Sequence, residues 1–309
     1  MHDPKFIIPN SYSSFSPEAV SQLRSIGEDN LFYEEFFLHH PSDVFSAIFE
    51  ECLESILYLN ELVIQLLEKR NLIEDIDFKY KLKSAISNML YSQANFIDGC
   101  GSIIKSIYGD NNSEYKKANR HFKDNFKHYN DHLLKIVNYR KHRHRKITLI
   151  FFSNDKYFIP GYFIEGVVSK HISGPDPDIH KDSNAAISLL RDIPYHIYHL
   201  YLISSCLSSY ILKKFPKLEK EKISADNETN KRLIKLFSIS SQLPSHFFPD
   251  ELENIVPKII FDTKTQVGEI LFNNESKPEN SQLCKYQVST SFTVGKFSRA
   301  IQLPYMKSK

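Results

Sequence analysis

Arg140, Lys141, His142, Arg143, His144, Arg145 and Lys146, followed without a break by Ile147, Thr148, Leu149, Ile150, Phe151 and Phe152, form the stretch on which the reading of this chain turns. Before it, apolar residues recur at alternating steps of three and four, the spacing of a helix that buries one stripe. After it the period falls to two and the residues are rich in Ile, Phe and Tyr, the pattern of strands. The seven basic residues carry five formal positive charges in a chain whose total is only +2, so the remainder stands at −3. The positive charge is therefore local, and it sits where helices give way to sheet.

Working back from this point, residues 115–136 place Tyr115, Ala118, Phe122, Phe126, Tyr129, Leu133 and Ile136 on one stripe of a helix. Leu82, Ile86, Met89, Phe96, Cys100, Ile103 and Ile107 repeat that spacing, with Gly99 and Gly101 as expected kinks. Phe45, Phe49, Cys52, Ile56, Leu59, Val63 and Leu66 do so again, with Ser42 or Asp43 as the expected cap. Three long amphipathic helices predict an antiparallel bundle. Residues 1–41 mix Pro, Ser and aromatics and read as an arm with a helix from about Pro17.

Working forward, residues 146–168 read as a β-hairpin turning at Ser153, Asn154 and Asp155, with Pro160 and Gly161 marking a bulge or an edge. A polar loop leads to a helix from about Ala185 to Lys214, kinked or restarted at Pro194. Residues 215–309 read as an α/β region: a charged connection, a helical piece at 231–240, and strands near 259–261, 267–272, 286–294 and 297–303. The expected fold is thus α+β, an antiparallel helical bundle over 42–214 with an inserted β-hairpin and a small C-terminal antiparallel sheet.

A chain of 309 residues with 41% hydrophobic and 25% charged content is long enough to bury a large core and is not disordered. The four cysteines, Cys52, Cys100, Cys206 and Cys284, are scattered and form no Cys-x-x-Cys pair, as expected of reduced thiols. Met1 to Pro4 lead into no apolar run, so no signal peptide and a cytoplasmic location are expected. Residues 195–212 lack charge but carry two histidines and four serines, which favours a buried central helix over a membrane span. With nine glycines there is no Walker A loop, no Gly-x-Gly-x-x-Gly and no Gly-x-Ser-x-Gly elbow, and no His-Glu-x-x-His occurs.

Four constellations remain. The run Arg140 to Lys146 has the density of a phosphate-binding tip, although cations at a helix C-terminus also complement the helix dipole. Helix 43–68 is acidic and helix 115–140 basic, which suits pairing between helices or subunits, a protein partner for the acidic helix, or a phosphate-binding face. His128 and His132 have the spacing of two metal ligands but no third ligand, and no metal site or cofactor is expected. In the loop 174–182, Asp176, Asp178, His180 and Asp182 suit either turn and capping chemistry or a metal-dependent phosphoesterase.

Finally, Arg191, Asp192 and His196 place an Arg and a His five apart at the start of a helix. Together with three long helices and a charged tip, this element resembles the HEPN superfamily, helical bundles that include metal-independent ribonucleases and non-catalytic members. The resemblance implies a protein acting on RNA or another phosphate-bearing partner, often as a homodimer. In its catalytic form Arg191 would stabilise the phosphorane charge, His196 would act as general acid or base on a 2′-hydroxyl, and Asp192 would orient them.

Overall fold

The computed structural model describes residues 5–9, 14–31, 33–109, 111–153, 157–180, 184–218, 227–252, 256–273, 287–291 and 300–305. In chain order the elements are β1 (Phe6–Ile8), α1 (Glu18–Arg24), α2 (Pro41–Glu68), α3 (Ile76–Tyr108), α4 (Asn112–Asp124), α5 (Lys127–Arg143), β2 (Lys146–Ser153), β3 (Phe158–Ser169), β4 (Ile172–Pro175) and β5 (Ile187–Ser188). They are followed by α6 (Leu189–Lys214), α7 (Asn227–Ser240), β6 (Val256–Asp262), β7 (Val267–Asn273), β8 (Gln287–Ser291) and β9 (Ala300–Ile301). Cys284 and Asp182 lie outside the described residues, as does part of each strand expected at 286–294 and 297–303.

The stripes on α2 and α3 face each other as an antiparallel pair whose apolar positions are buried throughout. Each fully buried Leu, Ile or Phe there contributes about 1.5–3 kcal/mol relative to exposure. Pro41 opens α2, and the cap is His40, whose Nδ1 accepts from Ser42 N–H at 3.2 Å, rather than Ser42 or Asp43. Asp75 caps α3, accepting from Asp77 and Phe78 N–H. α3 runs as one unbroken helix through Gly99 and Gly101. Gly99 serves packing instead, since a Cβ there would lie 2.6 Å from Ile48 Cδ1 on α2.

The return along α3 is made by two helices where the stripe predicts one. At Asn125 the side-chain amide donates to the carbonyls of His121 and Phe122, and Phe126 leaves helical geometry at φ −134°. These bonds end α4 and let α5 restart. The broken rod still runs antiparallel to α3, as shown by Lys123 with Asp98 at 3.5 Å, Tyr129 with Gln93 at 3.0 Å and Arg140 with Ser87 at 2.7 Å.

α6 crosses the interior as one helix through Pro194, which sits early enough to forfeit only the bond to Leu190. It packs on α1, α2, α3, β3 and β6. No helix among the described residues is long and apolar enough to cross a membrane.

The hairpin pairs Ile147 with Ile164 through Ser153 with Phe158. Pro160 and Gly161 lie inside this regular register, and the irregularity falls at Val167/Ser169. Gly161 is required because a Cβ would collide with Ile187 O and the Phe248 ring. The C-terminal strands divide between two sheets. β8 and β9 extend the hairpin sheet in the order β8-β2-β3-β4-β9, with β5 on β3, while β6 and β7 pair with the N-terminal β1. Both faces of the hairpin are covered: Leu149, Phe151 and Tyr162 join the main core, whereas Ile150, Phe152, Ile159 and Phe163 form a second one with Phe248. That double burial explains the continuous apolar run from Ile147.

Candidate functional site

The basic run is built on a chain reversal. α5 ends at Arg143, His144 adopts the left-handed conformation (φ 52°), and Arg145 N–H donates to Tyr139 O at 3.3 Å, closing the helix C-terminus. The reversal aims Arg145 at the segment after β4, where its Nε lies 2.7 Å from Asp176 Oδ2 in an ion pair that is close but not aligned as a hydrogen bond. The Asp176 side chain is 1% exposed and that of Arg145 22%. Asp176 Oδ1 also accepts from Asp178 N–H at 3.0 Å, and Gly166 is needed because a Cβ would strike the Asp176 carboxylate.

Arg143 lies over the Tyr139 ring at 4.0 Å and pairs with Asp178 at 3.3 Å, and the Tyr139 hydroxyl donates to the same carboxylate at 2.8 Å. Tyr139, with Lys135 and Arg143, holds the Asp178 carboxyl below its ordinary range. Arg140 donates to Ser87 Oγ and lies over the Tyr91 ring at 5.2 Å. Thus the three arginines of the expected phosphate tip are engaged within the chain, Arg143 while still exposed, and Lys141, His142, His144 and Lys146 are exposed beside it.

The same contacts engage the described part of the 174–182 loop, residues 174–180. Asp176 and Asp178 neutralise Arg145 and Arg143, while His180 Nε2 accepts from Ile164 N–H at 2.8 Å. Burial pushes the His180 imidazole down to about 3, so it is neutral with its proton on Nδ1. Among the described residues no three His, Cys, Asp or Glu side chains converge on a metal-sized site. His128 and His132 are exposed on α5.

Of Arg191, Asp192 and His196, the last two come together inside the molecule. His196 is 3% exposed. Its Nδ1 lies 2.7 Å from the Tyr129 hydroxyl, its Nε2 lies 3.4 Å from Asp192 Oδ1, and the Tyr129 hydroxyl reaches Gln93 Oε1 at 3.0 Å. Tyr162 donates to Asp192 Oδ2 at 2.9 Å. Burial would raise the Asp192 carboxyl, but His196, Tyr162 and Arg191 outweigh it and hold the group below its ordinary range. His199 stacks flat on Tyr129 at 3.8 Å, bonds Tyr195 O through Nδ1, and is pushed down to about 3 by burial.

Arg191 turns away from His196. It lies over the Tyr195 ring at 5.1 Å and 3.9 Å from Glu251 Oε1. Glu251 accepts from Ser188 and Phe248 N–H, and burial pushes its carboxyl up to about 7. Such a network couples β3, α3, α5 and α6, and both ring nitrogens of His196 are occupied by it. Tyr129 and Gln93 carry no sequence signal for this role, because both fall within the buried positions of amphipathic helices.

Of the readings offered for the charged helices, pairing of α2 with the α4–α5 rod is not seen among the described residues. Glu54 and Glu61 of α2 pair with Arg232 and Lys235 of α7, while Glu50 and Glu51 accept from Thr229 and Asn95. On the α4–α5 rod, Lys116, Lys117, Arg120, Lys127, Lys135 and Lys141 are exposed, and none forms an ion pair among the described residues. Comparison with protein-family models, with curated proteins and with solved structures returns no match.

Proposed function

We propose that this chain is a non-catalytic, HEPN-like binding module for single-stranded RNA, and that its contact surface is the basic face of α4 and α5. The observation that carries the reading is the row of six exposed cations, Lys116, Lys117, Arg120, Lys127, Lys135 and Lys141, none of which forms an ion pair among the described residues. Phosphate contacts need concentrated positive potential rather than a motif. Aromatic rings stand beside this rod: Lys135 lies 6.0 Å from the Tyr139 ring centre, and exposed Tyr91 of α3 lies under Arg140 of α5. Rings interleaved with cations suit unpaired bases.

The burial of His196 and the occupation of both its nitrogens support binding without cleavage. Four acids of α2 are already engaged by α7 and α3, so the acidic helix is left out of the surface. A homodimer is not required. Engaging about four phosphates of a single strand gives a salt slope of about −2.8, a loss of roughly 50-fold in affinity between 50 and 200 mM salt. Titration of labelled RNA over that range tests the reading. A variant with Lys116, Lys117, Arg120 and Lys127 changed to Glu should lose binding while unfolding as the parent does. Equal binding by this variant would refute it.

A further inference from the structure

α4 packs on α3 and α5 and stands away from the C-terminal third of α6, which it meets where the Tyr210 hydroxyl bonds His121 Nδ1 and where Phe122 lies edge-on to the Tyr210 ring. The gap is a cleft of about 570 Å³ lined by Tyr108, Lys117, His121, Cys206, Tyr210 and Lys213. Its size lies within the roughly 300–1,000 Å³ of small-molecule sites. It is separate from the buried His196 network and opens to solvent.

We propose that this cleft binds a phosphomonoester carried on a flat aromatic body, the chemistry of a nucleoside monophosphate, with the ring against Tyr108 and Tyr210 and the phosphate held by Lys117 and Lys213. Two aromatic side chains and the Cys206 thiol supply an apolar wall for a planar group. Burial pushes the Cys206 thiol up to about 11 and the Tyr210 phenol up to about 12, so the thiol is a neutral wall and the phenol an uncharged donor. Lys117 comes from α4 and Lys213 from α6, so cations approach from both walls, and Lys214 lies 4.9 Å from the Tyr108 ring. Glu114 is the one acid in the lining among the described residues. A phosphate, with three acceptor oxygens, can be held by the lysines of both walls at once. The bond to Tyr210 fixes His121 through Nδ1 and leaves Nε2 as the nitrogen available to a ligand. The inference stands whether or not the outer face of α4 and α5 binds RNA.

The test is calorimetric titration of the full chain with adenosine 5′-monophosphate, adenosine and inorganic phosphate. Two variants accompany it: Ser209→Trp, which fills the cleft from its exposed rim, and Lys213→Ala, a change of an exposed residue. The monophosphate should bind the parent at least about tenfold more tightly than either half-ligand. Lys213→Ala should weaken it about tenfold. Ser209→Trp should abolish binding with the unfolding temperature preserved, and if that variant is unfolded the Lys213→Ala result decides. Absence of binding to the parent at about 5 mM, equal affinity for inorganic phosphate, or binding undiminished in either folded variant would overturn the proposal.

Discussion

Arg145→Ala separates a structural arginine from a ligand-binding one. In the folded chain the Asp176 side chain is 1% exposed and its Oδ2 has the Arg145 guanidinium at 2.7 Å. Removing one member of a fully buried ion pair costs about 3–5 kcal/mol, because the other charge is left in a poor solvent. Arg145 retains 22% exposure, water can reach part of the vacated space, and Asp178 N–H still donates to Asp176 Oδ1, so the loss should fall near 2–3 kcal/mol. In a chain of this size that lowers the unfolding temperature by about 3–5 °C. Urea unfolding should show the midpoint falling with its slope unchanged. Asp176→Asn removes the stranded charge, so the double variant should be more stable than the sum of the single losses predicts, by about 1 kcal/mol or more. If Arg145→Ala unfolds within about 0.5 kcal/mol of the parent and shows no coupling to position 176, the pairing of the basic run with the 174–180 segment is not what holds this corner. A practical consequence is that lost RNA binding after changing Arg140, Arg143 and Arg145 together would report damage to the fold as much as lost contacts.

His196→Ala leaves the Tyr129 hydroxyl and the Asp192 carboxylate short of a buried partner, so it should cost about 2–4 kcal/mol in urea unfolding; an unchanged midpoint would mean that the network is hydrated. Acid stability follows from three buried groups. His180 and His199 are pushed from 6.5 down to about 3, so the unfolded chain gains two protons that the folded chain refuses; their contribution is complete above pH 6.5 and is lost as the pH falls toward 3. Glu251, raised from 4.5 to about 7, has the opposite sign: its contribution is present below pH 4.5 and is lost as the pH rises through 7. Between pH 6.5 and 4.5 it offsets one histidine proton, leaving a loss of about 1.4 kcal/mol per pH unit on acidification. In Glu251→Gln the offset disappears and the loss should steepen to about 2.7 kcal/mol per unit, whereas a flat profile in both proteins would contradict the assignment.

The helical stripes on α2 and α3 and the hairpin at 146–168 were legible because each depends on local periodicity, and periodicity is what burial of one face imposes. The split between α4 and α5 was hidden because Asn125 is polar and lies off the apolar stripe; only its bonds to His121 and Phe122 carbonyls reveal a terminator. Gly99 gave a true signal with two meanings, a kink or a close approach, and Ile48 settles which. The basic run and the acidic 174–180 segment each looked like a site when read separately. Their pairing joins residues about 30 positions apart across a hairpin, and nothing local encodes it. The proximity of Asp192 and His196 follows from helical spacing, but their burial depends on Tyr129 and Tyr162, which arrive from other elements.

The measurement that bears most directly on the account is incubation of labelled single-stranded RNA with the parent protein, with the Lys116, Lys117, Arg120 and Lys127 to Glu variant, and with His196→Asn, each with and without chelator. The account predicts intact RNA throughout, salt-sensitive binding by the parent and by folded His196→Asn, and no binding by the lysine variant. Cleavage that survives chelation and disappears in folded His196→Asn would contradict it and would make Arg191, Asp192 and His196 a catalytic site.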